Sequence, residues 1–128
     1  MKTVLFVCVH NSGRSQMAEA FFNQMAKGRG QAISAGTQPA DKVSLMVVEA
    51  MREVGIDISN NLPKALTPEM AEQADKIVTM GCGAEGVCPA AFVETEDWGL
   101  EDPKGKTLEQ IRQIRDGIKV KVKRLVKK

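Results

Sequence analysis

The sequence predicts an α/β fold, a three-layer αβα arrangement built on a four-stranded parallel sheet. Three observations carry that prediction. Four short apolar runs alternate along the chain with segments whose apolar side chains recur at helical spacing, the pattern of a parallel sheet with helices on both faces. The 128 residues suit one domain, 1–128, with one core, and 43% hydrophobic with 27% charged residues is an ordinary balance for a soluble protein. No internal repeat, low-complexity stretch or interdomain linker interrupts the pattern.

The elements follow in order. K-T-V-L-F-V, from Lys2, is rich in β-branched and aromatic residues and reads as a buried strand. From Ser15, the run S-Q-M-A-E-A-F-F-N-Q-M-A-K sets Met17, Ala18, Phe21, Phe22 and Met25 in one helical stripe. Q-A-I-S-A is a second strand. V-S-L-M-V-V-E-A-M-R-E-V, with Gly55 behind it, reads as a capped helix, and a short helix is expected after Thr67. K-I-V-T-M is a third buried strand, F-V-E-T-E leads to Trp98 as a fourth, and the run from Thr107 to Val126 forms the last helix. Open parallel sheets bind ligands beyond the carboxyl ends of their strands. Cys8, Cys82 and Asp102 each follow a predicted strand, so their three loops are expected to meet at one rim.

The most informative loop is C-V-H-N-S-G-R-S, with five residues between Cys8 and Arg14 and with Ser15 next. Asn11, Ser12 and Gly13 are residue types that form sharp turns. A turn that feeds a helix N-terminus points successive backbone N–H groups inward and makes a nest for an anion, here from Val9, His10, Asn11, Ser12, Gly13 and Arg14. A free thiol with a pKa near ~8.5 is only a few per cent ionised at neutral pH, whereas a helix N-terminus and a cation lower it to roughly 3.5–7.5. Arg14 offers planar, bidentate donors to two oxygens of a tetrahedral oxyanion. Ser15 can donate its hydroxyl to the sulfur. The arrangement suits in-line attack by Cys8 on the central atom of a bound oxyanion. The competing reading is an ordinary buried cysteine beside a capping turn.

Cys82 and Cys88 form a second group, in G-C-G-A-E-G-V-C-P. They read as a redox pair, as unrelated loop cysteines, or as half of a metal site. Structural zinc sites use tighter spacing and four ligands, and only Cys8 and His10 remain as further soft ligands. On a helix, six steps of about 1.5 Å would part the two Cα atoms by roughly 9 Å, beyond the ~7 Å limit for a disulfide. A Cys82–Cys88 bond therefore needs a non-helical loop, and Gly81, Gly83 and Gly86 give this segment the freedom to rearrange. The third element is the carboxylate of Asp102. An oxyanion displacement needs a proton for the departing oxygen, and a carboxylic acid beside an anionic pocket is suited to give it. Glu101 competes for that role, and a solvated acidic turn is the plain alternative.

Other classes are excluded. A net charge of +2 is too small for nucleic-acid binding, and the first apolar run is too short for a membrane span and lacks a signal-peptide pattern, which places the protein in the cytoplasm. Three cysteines in such a chain argue for reduced, working thiols. The seven methionines are core filler, and the basic end K-V-K-V-K-R-L-V-K-K is a solvated helix face. His10 adds charge or shapes the loop and is not read as a catalytic base.

Four stretches give the chain a resemblance to a known family: C-V-H-N-S-G-R-S-Q-M-A-E, S-A-G-T from Ser34, M-G-C-G-A-E-G-V-C-P, and W-G-L-E-D-P-K-G-K from Trp98. The chain resembles the low-molecular-weight protein tyrosine phosphatase superfamily and, within it, the thioredoxin-coupled arsenate reductases. The resemblance implies a low-molecular-weight phosphatase-like fold and a thiol relay that reduces arsenate to arsenite. In that relay Cys8, Arg14, Ser15, Cys82, Cys88 and Asp102 are the catalytic set, and Asp102 takes precedence over Glu101. Thioredoxin is the implied electron donor, arsenate the implied substrate, and no tightly bound cofactor is expected. Asn11 matches the asparagine that props up the loop; Asn11, Glu19 and Ser34 match residues that line a monovalent-cation site, potassium, in some relatives. A monomer is expected. Two departures stand out: five residues rather than six separate Cys82 from Cys88, and Lys104, Gly105 and Lys106 follow Asp-Pro where phosphatases carry aromatic residues. Phosphomonoester hydrolysis through a phosphocysteine at Cys8 is the runner-up, and a non-catalytic redox or anion-binding module is the third reading.

Overall fold

The computed structural model describes residues 2–8, 10–80, 94–98 and 105–127, with 94–97 as backbone. The elements are β1 (Lys2–Cys8), α1 (Arg14–Ala26), β2 (Gly30–Gly36), α2 (Leu45–Arg52), α3 (Pro68–Gln73), β3 (Lys76–Thr79), β4 (Glu94–Asp97) and α4 (Leu108–Lys127). The strands form one sheet in the order β2-β1-β3-β4, and every pair is parallel. β1 lies inside the sheet and is buried from Thr3 to Cys8, as a strand covered on both faces must be. Its side chains alternate between two cores. Val4, Phe6 and Cys8 join the larger one, built with α1, α2 and α4; Leu5 and Val7 join the smaller, with Ile77 and Ala74 and with Met70 and Ala71 of α3.

The helices begin and end where local chemistry dictates. α3 starts at Thr67, whose side chain accepts from the Met70 N–H at 3.2 Å, with Pro68 in the first turn. α4 opens on a capping box: the Gln110 N–H donates to Thr107 Oγ1 at 3.2 Å and the Thr107 N–H donates to Gln110 Oε1 at 3.0 Å. Its buried residues, Ile111, Arg115, Ile118, Val122 and Leu125, recur at steps of four and three and form one stripe. Phe6 is the hinge of the larger core, edge-on to Phe22 at 6.2 Å and tilted against Trp98 at 5.7 Å between ring centroids. Gly30 is required by close approach, since a Cβ there would stand 3.1 Å from the Lys2 carbonyl and 3.4 Å from the Phe22 ring.

This order fixes where a ligand can bind. From β1 the chain runs to β2 on one side, then crosses to β3 on the other. The carboxyl ends of β1 and β3 therefore flank a topological switch point, where the connections leave in opposite directions and open a crevice. Cys8 ends β1 there. No helix among the described residues is long and apolar enough to cross a membrane.

Candidate active site

The loop after β1 is held by its carbonyls. Ala40 N–H donates to the His10 carbonyl at 3.0 Å and Ser44 N–H to the Ser12 carbonyl at 2.9 Å, while Thr37 N–H donates to the Cys8 carbonyl at 3.2 Å. In a trans peptide the C=O and the following N–H point opposite ways. With the His10 and Ser12 carbonyls turned out to the 37–44 segment, the N–H groups of Asn11 and Gly13 face inward. The Asn11 N–H does so measurably, 3.1 Å from Cys8 Sγ. Two backbone N–H groups of the loop, those of Asn11 and Gly13, are thus turned inward, and α1 starts at Arg14 directly behind them. Val9 lies outside the described residues.

Asn11 makes the turn possible. Its φ of 50° is the left-handed conformation that asparagine tolerates better than most residues. Its side chain and that of Ser15 are fully buried and joined: Asn11 Nδ2 donates to Ser15 Oγ at 2.7 Å, and Ser15 Oγ lies 2.9 Å from Cys8 Sγ. Ser15 Oγ accepts from Asn11 and keeps its own proton, which it can donate to the sulfur. The Asn11 backbone N–H and the Ser15 hydroxyl therefore converge on Sγ, at 3.1 and 2.9 Å. Cys8 is a buried free cysteine. Arg14 is 5% exposed and donates through Nη1 to the carbonyl of Met80, the residue that follows β3. The guanidinium thus bridges the two strand ends that frame the crevice. His10 stands at the rim, its Nδ1–H donating to the Gln38 carbonyl at 3.1 Å, which suits the loop-shaping role.

Cys82, Cys88, Asp102 and Glu101 lie outside the described residues. β3 and β4, the strands that precede them, run parallel to β1 and end on the same edge of the sheet.

Ser34 and Glu19 do come together: Ser34 Oγ donates to Glu19 Oε1 at 3.0 Å. The donors assigned by resemblance to a monovalent cation are nevertheless already engaged. Lys64 Nζ stands 3.7 Å from the same Glu19 oxygen, and Asn11 Oδ1 accepts both the Lys64 backbone N–H at 2.8 Å and Gln16 Nε2 at 3.1 Å. A tethered ammonium supplies the positive charge, so this donor set does not fit a potassium ion. Among the described residues no group of three or more His, Cys, Asp or Glu side chains could hold a metal.

The sequence reading passed over four contributors. Gln16 is fully buried behind the loop, Asn61 and Lys64 belong to a strap that crosses it, and the Met80 carbonyl receives Arg14. A glutamine beside a helical apolar stripe carries no signal of such a role, and the strap reads only as a cluster of turn formers, N-N-L-P.

The comparisons with known proteins agree with this geometry. Arsenate reductase 2 of Staphylococcus haemolyticus is 38% identical over 123 residues, which span 94% of this chain and 93% of that one. The structure of a thioredoxin-dependent arsenate reductase from Corynebacterium glutamicum matches with a TM-score of 0.85 and 37% identity across 99% of this chain; this chain spans 61% of that protein's chain. The arginine phosphatase of Geobacillus stearothermophilus matches with a TM-score of 0.88 at 25% identity, over 99% of this chain and 92% of that one. Residues 3–128 match the family described as low molecular weight phosphotyrosine protein phosphatase. The chain therefore belongs to the family described as low molecular weight phosphotyrosine protein phosphatase, with arsenate reductases among its relatives.

Proposed function

We propose that this chain is an arsenate reductase that uses thioredoxin as its electron donor. The observation that carries the reading is the Cys8 sulfur, held by two hydrogen bonds at the mouth of a nest of inward N–H groups with Arg14 beside it. That site binds and attacks a tetrahedral oxyanion. The likeness to arsenate reductases over almost the whole chain, and the additional pair Cys82 and Cys88, favour reduction over hydrolysis.

The proposed steps balance as follows. The Cys8 thiolate attacks arsenic while Arg14 and the loop N–H groups hold the oxygens, and the arsenate hydroxyl departs as water after taking a proton from Asp102. The Cys82 thiolate attacks Cys8 Sγ. The As–S electron pair stays on arsenic, which falls from the +5 to the +3 state and leaves as arsenite, and a Cys8–Cys82 disulfide remains. The Cys88 thiolate then attacks Cys82, freeing Cys8 and forming a Cys82–Cys88 disulfide that thioredoxin reduces by dithiol exchange. A monomer working in a reducing, cytoplasmic compartment fits these three thiols. In Cys88→Ser, one equivalent of arsenate is expected to give one arsenite and a Cys8–Cys82 disulfide detectable by peptide mass. Repeated turnover of that variant with thioredoxin would contradict the relay.

Phosphomonoester hydrolysis is the second reading, favoured by the match to the low molecular weight phosphotyrosine protein phosphatase family. It uses Cys8, Arg14 and Asp102 in the same way, with water in place of Cys82 as the second nucleophile. Arsenate and phosphate have nearly the same shape, so a slow phosphatase activity is expected alongside reduction.

A further inference from the structure

Behind the nest lies a buried chain of neutral polar groups whose direction is fixed by backbone atoms at both ends. The Lys64 N–H, which can only donate, lies 2.8 Å from Asn11 Oδ1 and thereby assigns that atom as the oxygen. The carbonyls of Asn11 and Leu62, which can only accept, lie 3.2 and 3.3 Å from Gln16 Nε2 and assign it as the nitrogen. Gln16 Oε1 in turn accepts from Asn61 Nδ2 at 3.2 Å. The donors then run one way, Asn61 to Gln16, Gln16 to Asn11 and Asn11 to Ser15, and bring the Ser15 hydroxyl within 2.9 Å of Cys8 Sγ. Gln16 also grips both the carbonyl and the side chain of Asn11, the one loop residue among those described with a positive φ.

We propose that Gln16 is a positioning residue for the Cys8 thiolate: docked on the 61–62 strap, its amide holds Asn11 in its left-handed conformation and in the flip that aims the Ser15 hydroxyl proton at sulfur. Reversing the Asn11 amide would present Oδ1 to Ser15, which would then donate to Asn11 and turn a lone pair toward the sulfur. That state disfavours an anion. Gln16 touches neither substrate nor the reacting atom, so its contribution passes through Asn11 and Ser15. The inference rests on the reading that Cys8 is the nucleophile, and its test reads thiol reactivity alone, independently of whether arsenate or a phosphoester is the substrate.

The test is the rate of alkylation of Cys8 by iodoacetamide against pH, in the full chain with Cys82→Ser and Cys88→Ser so that one thiol reports. Gln16→Met keeps the volume and removes the donors; Gln16→Glu keeps the shape and adds a charge. In Gln16→Met the rate at pH 6 is expected to fall about fivefold, the effect of losing one hydrogen bond, with the gap closing toward pH 10, where the thiol ionises in every variant. Gln16→Glu is expected to lose at least as much. A native rate at pH 6 in a folded Gln16→Met would overturn the proposal, as would a loss equal at every pH, which is a steric effect, or a loss confined to Gln16→Glu, which is a charge effect. If Gln16→Met does not fold, Asn61→Ala removes from a half-exposed site the side chain that donates to Gln16 Oε1. It should slow alkylation about twofold at pH 6 with the same convergence, and an unchanged rate there would overturn the proposal equally.

Discussion

Two polar networks hold this molecule together, and they are built from opposite materials. Behind Cys8, the neutral side chains of Asn11, Ser15 and Gln16 are fully buried and hydrogen-bonded in series. Between the end of α2 and the face of α4, full charges meet, Glu53 and Arg112 toward the surface and Arg115 buried. There Glu53 accepts from Arg112 Nη2 at 2.6 Å and from Arg115 Nη1 at 2.9 Å, and Arg115 also donates to the Ala50 carbonyl at 2.9 Å. A buried amide or hydroxyl avoids the desolvation that a charge would suffer, and it carries direction. An exposed ion pair carries little direction but joins two helices from outside the core. The first network belongs to chemistry and the second to architecture, and the two should respond differently to substitution and to pH.

The sharpest break is at the sulfur and its cation. Cys8→Ser is expected to abolish arsenite formation, and Arg14→Lys, which cannot make two parallel hydrogen bonds, to lower kcat/KM by about a hundredfold or more. Both are measured with saturating thioredoxin, and both variants should keep their native far-ultraviolet circular dichroism. Next is Asn11→Ala. It leaves the Lys64 N–H without its acceptor, takes one of three acceptors from Gln16 Nε2, and puts a methyl side chain at φ 50°. Unlike the first pair it should damage both properties, with stability falling by about 1–3 kcal/mol in urea and activity falling with it.

The charged network should behave in the reverse manner. Glu53 is held down to about 2 from 4.5, chiefly by the hydrogen bond from Arg112 and, against the effect of burial, by that from Arg115. A carboxylate whose pKa is lower folded than unfolded contributes stability in full above the unfolded value and loses it as pH falls through the folded one. That contribution should therefore be intact above about pH 4.5 and disappear toward about pH 2. Glu53→Gln should flatten this part of a stability profile against pH while kcat/KM at neutral pH stays native. A native acid limb in Glu53→Gln would remove the contrast between the networks. The smallest effect concerns ions. With Lys64 Nζ beside Glu19, exchanging potassium for sodium at constant ionic strength should leave turnover unchanged, and a selective gain with potassium would show that the tethered ammonium does not fill that role.

Much of this was legible in the residues, and the reasons differ by element. Strands and helices announced themselves by period: the stripe Met17, Ala18, Phe21, Phe22 is buried on α1 as its spacing requires, and K-I-V-T became β3, buried throughout. Boundaries moved where a tertiary bond intervened. Val43 and Ser44 fit the helical pattern, yet α2 starts only at Leu45, because Ser44 is its N-cap, with a non-helical ψ of 130° and its N–H held by the Ser12 carbonyl. Cys8 extends β1 one residue past K-T-V-L-F-V, in register with Gly36. In the site, Cys8, Arg14 and Ser15 were readable because their types and spacing carry the chemistry themselves. Gln16, Asn61 and Lys64 were not. Their roles come from a strap 45 or more residues away in sequence from Gln16 and are defined by contacts alone.

The most direct test of the central claim measures two products from one preparation: arsenite from arsenate with a thioredoxin system, and phosphate from an aryl phosphate, for the native chain, Cys82→Ser and Cys88→Ser. The account predicts sustained arsenite production by the native protein, its loss in both variants, and a slow phosphatase rate that is the same in all three. Absence of arsenite in the native protein, alongside efficient phosphate release in all three, would contradict it and leave a phosphatase.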